Sequence, residues 1–147
     1  MEWVKRLHGQ IVGLDTAPLI YYIEEHEDYI GSLDQFFDAF KDSKFRVVTS
    51  TITLLEVLVH PLRCGDETLA HRYNDILLSS PNLSLCPVTF GVAQEAAELR
   101  ARHNLKTPDA IQLATALSEH ASAFLTNDRS LPDNCGIQIL RLTDIRA

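Results

Sequence analysis

Short apolar runs alternate along the chain with longer stretches whose apolar residues recur every three or four positions. Gln10 to Leu14 reads as a buried strand ending at Asp15. Thr16 and Pro18 then open a helix over Leu19 to about Glu25, since proline is tolerated in a first turn. Ser32 to Phe40 is helical, with Leu33, Phe36, Phe37 and Phe40 on one face. Phe45 to Thr49 is a second strand, and the Thr49-Ser50-Thr51 cluster caps a helix from Ile52 to Val59 that Pro61 closes. A longer helix covers Asp66 to Leu78. Leu83 to Val88 reads as a short strand that Pro87 makes an edge or an irregular one. Gly91 to His103 is amphipathic through Val92, Ala96, Leu99 and His103. Thr107 caps a last helix to about His120, with Pro108 in its first turn and Ala110, Ile111, Ala114, Leu117 and Ala121 at helical spacing. Ala123–Thr126 and Ile137–Leu140 complete the strands. Short buried strands alternating with helices predict a three-layer α/β/α sandwich around a mostly parallel sheet of four to five strands.

Composition narrows the class. At 147 residues the chain is expected to form a single domain over residues 1–147. A domain of that size buries roughly two-thirds of its unfolded surface and needs no disulfide or structural metal. With 46% apolar and 22% charged residues it is neither disordered nor collagen-like. Three cysteines, Cys64, Cys86 and Cys135, are odd in number and widely spaced, which excludes a disulfide framework and a thiolate zinc knuckle and suits a reducing compartment. All three are expected to be small buried residues. No run approaches a membrane span of roughly 18 apolar residues, and Met1 to Gly9 lacks the apolar core of a signal peptide, so a cytoplasmic protein is expected.

The formal charge is −7, with 20 carboxylates against 13 lysines and arginines. That balance argues against a generic nucleic-acid binder, which draws on excess positive charge. It does not exclude an enzyme whose acidic centre is neutralised by divalent cations, because formal charge omits the metals.

In a parallel sheet the working groups collect beyond the carboxyl ends of the strands. Asp15 follows the first strand directly, and Asp128 follows the Ala123–Thr126 strand by two residues. Asp109 lies in the first turn of its helix, and Glu56 lies inside the helix after the second strand. Each has a plainer alternative: Asp15 as a helix cap, Asp109 as an acid favoured by a helix N-terminus, Asp128 as turn chemistry. Glu56 interrupts an almost wholly apolar helix, Ile52 to Val59, which predicts a buried carboxylate that needs a cation or a partner. Four carboxylates brought together would raise one another's pKa. Mg²⁺ or Mn²⁺ relieves this, since both prefer oxygen ligands, and two such ions support phosphodiester hydrolysis.

Four stretches then resemble the acidic motifs of PIN-domain nucleases. Val12-Gly13-Leu14-Asp15-Thr16 followed by Leu19-Ile20 is similar to the first, and Thr53-Leu54-Leu55-Glu56-Val57 to the second. Thr107 to Ala116 (TPDAIQLATA) is similar to the third, and Leu125-Thr126-Asn127-Asp128 to the fourth. Their order and spacing, over essentially the whole chain, resemble the VapC-type toxins of bacterial toxin–antitoxin pairs. The resemblance implies a Mg²⁺- or Mn²⁺-dependent endoribonuclease that holds one or two ions through Asp15, Glu56, Asp109 and Asp128, with Asp15 and Asp109 the most central ligands. Thr16, Thr126 and Asn127 stand at supporting positions. It also implies a central first strand, a homodimer, an antitoxin partner and an RNA substrate. Cleavage by ion-activated water would leave a 5′ phosphate and make no use of the 2′-hydroxyl or of a histidine base.

Arg100, Arg102, His103 and Lys106 form a basic stretch just before Asp109 that would steer RNA towards the ions, or else a solvated helix face. Glu24 to Asp28 is too acidic to hold RNA and is expected in solvent or against a basic partner. His60 and His103 are expected to pack or to face solvent, Tyr21, Tyr22 and Phe90 to pack in a core or a dimer rather than to stack bases, and Trp3 has no assigned role. Two other classes compete. One is a non-cleaving PIN-like scaffold that binds RNA or protein, which the presence of all four acidic positions disfavours. The other is a phospho-acceptor signalling domain, which needs a lysine after a late strand that Thr126-Asn127-Asp128-Arg129 does not offer.

Overall fold

A computed structural model describes residues 2–145. In chain order the elements are α1 (Glu2–Lys5), β1 (Ile11–Leu14), α2 (Thr16–Ile23), α3 (Ile30–Lys41), β2 (Arg46–Ser50), α4 (Thr51–Cys64), α5 (Glu67–Ser79), β3 (Leu83–Cys86), α6 (Phe90–His103), α7 (Thr107–Ser118), β4 (Ala123–Thr126) and β5 (Gln138–Arg141). The strands form one five-stranded sheet in the order β3-β2-β1-β4-β5, and every adjacent pair is parallel. β1 is central, and β3, which Pro87 follows, is an edge strand.

Side chains alternate across this sheet because successive strand residues point to opposite faces. Val12, Leu14, Val47, Ala123 and Leu125 join one core with Leu33, Phe36, Phe37 and Phe40 of α3, Val57 of α4 and Tyr73 and Leu77 of α5. Val48 and Phe124 join the other, with Val92, Ala96 and Leu99 of α6 and Ala110, Leu113 and Ala114 of α7. Two apolar cores on opposite faces of one sheet make the three-layer sandwich. Aromatic rings reinforce the first core: Phe36 meets Phe37 edge-on at 5.0 Å, Trp3 stacks on Phe36 at 6.0 Å, and Tyr22 stacks on Phe37 at 4.0 Å. Tyr21 stacks on Tyr29 at 5.2 Å. Trp3 therefore packs.

Gly13 is the point of closest approach between the central strand and α7. A Cβ built there would lie 2.7 Å from Ala116 Cβ and 2.8 Å from Phe124 Cδ1, inside van der Waals contact. Glycine lets α7 settle directly on β1, and that seating sets where the first turn of α7 ends up.

The structure departs from the sequence pattern in several places. Pro61 does not close its helix but lies buried within α4, which runs one further turn to Cys64. The hydrogen bond lost at a proline is tolerated so close to the end, and Gly65, at φ +67°, supplies the left-handed stop. Thr107 is not the cap of α7. Lys106 holds that position without a side-chain bond, and the Thr107 hydroxyl instead accepts from Arg100 Nη1 at 3.0 Å. Only Cys135 is buried; Cys64 is exposed and Cys86 is half-buried, since each lies at an element's end rather than on its core face. Phe90 joins neither core of this chain: it is 94% exposed, because α6 begins there on its solvent side. Of the acidic run, Glu24 accepts from the Tyr73 hydroxyl, while Glu25, Glu27 and Asp28 face solvent. α1 carries no periodic signal at four residues and was not expected.

A candidate metal centre at the carboxyl edge of the sheet

Parallel strands place their carboxyl ends on one edge, so the residues just after β1, β2 and β4 become neighbours. Asp15 ends β1 and caps α2, with Oδ1 accepting from the Thr16 backbone N–H at 2.8 Å. Its other oxygen, Oδ2, accepts from the hydroxyl of Thr126 at 2.7 Å. Thr126, fully buried at the end of β4, is brought there by the β1–β4 register, which pairs Leu14 with Leu125. Asp15 is thus a cap and a site carboxylate at once. Burial pushes its pKa up, the bonds from Thr126 and Thr16 pull it down, and the charges of Glu56 and Asp128 push it up again, leaving it above the ordinary aspartate value.

Asp128 is likewise double-used. Its backbone N–H donates to Thr126 Oγ1 at 3.0 Å, and its Oδ1 accepts from Ser130 N at 2.8 Å and Ser130 Oγ at 2.7 Å, which is the turn chemistry of Asp. Its charge still reaches both Asp15 and Asp109.

Glu56 is exposed, contrary to the burial that its apolar neighbours imply. The buried face of α4 is narrow, Thr53, Val57 and Pro61 at four-residue spacing, and Leu55, Val59 and Leu62 are themselves in solvent. Apolar neighbours in sequence were no guide to burial on such a helix. The carboxylate is nonetheless held: Thr16 Oγ1 donates to Glu56 Oε1 at 2.6 Å, across 40 residues of sequence.

Asp109, in the first turn of α7, is half-buried. Burial first, then the charges of Asp128 and Asp15 and a hydrogen bond with the Asp128 carboxyl, push its pKa up to about 6, against a smaller pull from Lys106. The consequence for stability has a definite sign. Between about pH 4 and pH 6 the folded chain binds the Asp109 proton more tightly than the unfolded chain, so stability falls as pH rises through that window. In chelator, the melting temperature of the wild type should therefore drop between pH 4.5 and pH 7 by more than that of Asp109→Asn. Equal drops would mean that the site exerts no such strain.

Behind the carboxylates lies a buried polar network that no sequence pattern announces. Thr49, Thr53 and Gln112 are 2%, 0% and 3% exposed. Gln112 Nε2 donates to Thr53 Oγ1 at 2.6 Å and to Thr16 Oγ1 at 3.2 Å, and Thr49 and Thr53 hydroxyls meet at 2.8 Å. The one available signal was a polar residue at a core-facing position of a helix, which must find partners.

The chemistry of these donors fits a hard divalent ion. All are oxygens, the aspartates repel one another, and Asn127 Oδ1, beside Asp128, is buried without a hydrogen-bond partner. Among the described residues no three His, Cys, Asp or Glu side chains form a ready-made ligand cage. Asp15, Asp109 and Asp128, with Glu56 on the same edge, are the residues that would hold such an ion.

The basic stretch divides. All three cations are exposed, but Arg100 is tied to the α6–α7 turn, donating to Leu105 O at 2.8 Å and to Thr107, while Lys106 acts electrostatically on Asp109. His60 lies in solvent near Cys64, and His103 is half-buried at the end of α6.

Residues 12–137 match the family model of the PIN domain. Among curated proteins none matches the chain in sequence. Solved structures of similar fold include VapBC2 from Rickettsia felis bound to a promoter DNA fragment, at 18% identity and TM-score 0.70 over 89% of this chain and 98% of that one. A toxin–antitoxin complex from Klebsiella pneumoniae aligns at 22% identity and TM-score 0.67 over 91% and 98%. VapC20 of Mycobacterium tuberculosis, described as a sarcin–ricin loop cleaving toxin, aligns at 21% identity and TM-score 0.62 over 78% and 86%.

Proposed function

Since the chain belongs to the PIN-domain family, we propose that it is a Mg²⁺- or Mn²⁺-dependent endoribonuclease, the toxin of a toxin–antitoxin pair. The observation that carries this reading is the convergence of Asp15, Asp109 and Asp128, with Glu56, at one edge of the sheet, where their charges destabilise one another. A metal ion supplies, when bound, activation of water and stabilisation of the leaving oxygen in phosphodiester hydrolysis. The chain supplies the rest. Thr126 and the Thr16 N–H fix both oxygens of Asp15, and Thr16 Oγ1 fixes Glu56, so two carboxylates from separate elements are held in single orientations. Asp109 and Asp128 complete the negative pocket.

RNA approaches a chain of net charge −7, so local cations must guide it. Arg102 and Lys106 are free to do so, while Arg100 serves the turn. Replacing Arg102 and Lys106 by alanine should weaken RNA binding at low salt and reduce the slope of log affinity against log salt by about one for each phosphate that the pair neutralises. An unchanged slope would assign them to a solvated surface.

Structures similar to this fold include toxin–antitoxin complexes, which supports an antitoxin as partner. Leu55, Val59 and Leu62 line a solvent-facing row of α4 and offer apolar area to a protein partner, the antitoxin or a second copy in a homodimer. Three free thiols suit action in the cytoplasm, and among the described residues no helix is long and apolar enough to cross a membrane.

The reading is tested by incubating the protein with total RNA in Mn²⁺, in Mg²⁺ and in chelator. Cleavage is expected with either ion, with 5′ phosphate ends, and none in chelator. Cleavage that persists in chelator would contradict a metal-dependent mechanism.

A further inference from the structure

The proton directions in the buried network behind Glu56 follow from its acceptors. Thr49 Oγ1 donates to the carbonyl of Leu14 at 2.8 Å, and a carbonyl only accepts. A hydroxyl has one proton, so in the 2.8 Å contact between Thr49 and Thr53 it is Thr53 that donates. Thr53 then has no proton left for Thr16, 3.3 Å away, and the Thr16 proton lies on the Glu56 carboxylate at 2.6 Å. Both hydroxyls therefore accept, and both accept from one group: the Gln112 amide, at 2.6 Å to Thr53 and 3.2 Å to Thr16. Gln112 Oε1 is buried without a hydrogen-bond partner. Leaving a buried carbonyl unmatched is costly, so the amide is oriented for what its N–H groups do. With the amide reversed, Oε1 would compete with Glu56 for the Thr16 proton.

We propose that Gln112 is a positioning residue for Glu56. Its amide donates to Thr16 and Thr53 and so obliges the Thr16 hydroxyl to donate outward, holding an otherwise solvent-exposed carboxylate on the site edge. The residue sits one helical turn after Asp109 on α7, so a single helix carries one site carboxylate and the group that orders another. An amide accomplishes this and a carboxylate or an apolar side chain does not, since neither donates. The effect on catalysis rests on the nuclease reading; the network itself does not.

Two measurements separate these. The first needs no activity. In the proton–nitrogen spectrum of the ion-free protein, both side-chain amide protons of Gln112 should be protected from exchange, and Thr16→Val should shift one of them. Rapidly exchanging amide protons, or a spectrum indifferent to Thr16→Val, would overturn the network. The second is kinetic, on a fluorogenic RNA oligonucleotide. Gln112→Met should lower kcat about tenfold with KM little changed, and the affinity for Mn²⁺ should weaken in parallel. In a Glu56→Gln background the same substitution should lower kcat no further. Another tenfold loss in that background would show that Gln112 acts otherwise than through Glu56. If Gln112→Met does not fold, Thr16→Val carries the same comparison, because its hydroxyl is the link. A wild type that cleaves no RNA in Mn²⁺ would remove the nuclease reading, and the spectrum would still decide the network.

Discussion

Asp109→Asn should cost at least about a hundredfold in metal-dependent RNA cleavage and, in the same protein, raise the melting temperature measured in chelator. The two effects share one cause. Asp109 is pushed up to about 6 by burial and by Asp128 and Asp15, so at neutral pH its ionised form is disfavoured where it stands. The proposed use of that charge is to hold a divalent ion. Removing one preorganised electrostatic group from an active site costs on the order of 10²–10³ in kcat, and the substitution leaves shape and helix start almost unchanged. For the ion-free protein, a shift of this size on a half-exposed carboxyl corresponds, after solvent screening, to about 1 kcal/mol, or roughly 3 °C at this chain length. Asp15→Asn should lose activity equally but gain less stability, because Asp15 also accepts from Thr126 and Thr16. A lowered melting temperature for Asp109→Asn, with cleavage intact, would make the residue an ordinary acid at a helix start.

Gly13→Ala should destabilise the fold by about 1–3 kcal/mol, the usual range for overpacking a filled core. The added methyl would meet Ala116 Cβ at 2.7 Å and Phe124 Cδ1 at 2.8 Å, neither of them the loose end of a flexible side chain. Relief requires α7 to lift from β1, and α7 carries Asp109 and Gln112. Urea unfolding should show the loss, and Mn²⁺ affinity measured well below the transition should fall as well. A stability unchanged by the methyl would mean that the strand and helix are less closely seated. Reduced stability with full affinity would mean that the first turn of α7 is positioned independently of its middle.

Much of this architecture was legible in the chain because strand and helix periods are physically distinct. Ala123–Thr126 is legible to the residue, and the other strands to within one or two, since each is a compact apolar run bounded by polar or turn residues. Asp15 and Asp128 are legible from their places after strands, which the parallel sheet gathers at one edge, and Asp109 from its place in a first helical turn. What was not legible depends on packing. Whether Glu56 is buried turns on how narrow the inner face of α4 is, and Leu55, Val59 and Leu62 mislead because an apolar residue in solvent looks in sequence like one in a core. Pro61 misleads because a proline one turn from a helix end stops the helix in some contexts and not in others. The hydrogen bonds of Gln112 join residues 96 and 59 positions apart, and no local pattern encodes such distances.

In the proposed metal centre, oxygens from α7 and from the turns after β1 and β4, with Glu56 of α4, hold a divalent ion. Calorimetric titration of Mn²⁺ into the wild type and into Asp109→Asn tests it without recourse to RNA. Saturable binding to the wild type, weakened at least about tenfold by the substitution, is the predicted result. No binding, or equal affinity in the two proteins, would contradict it.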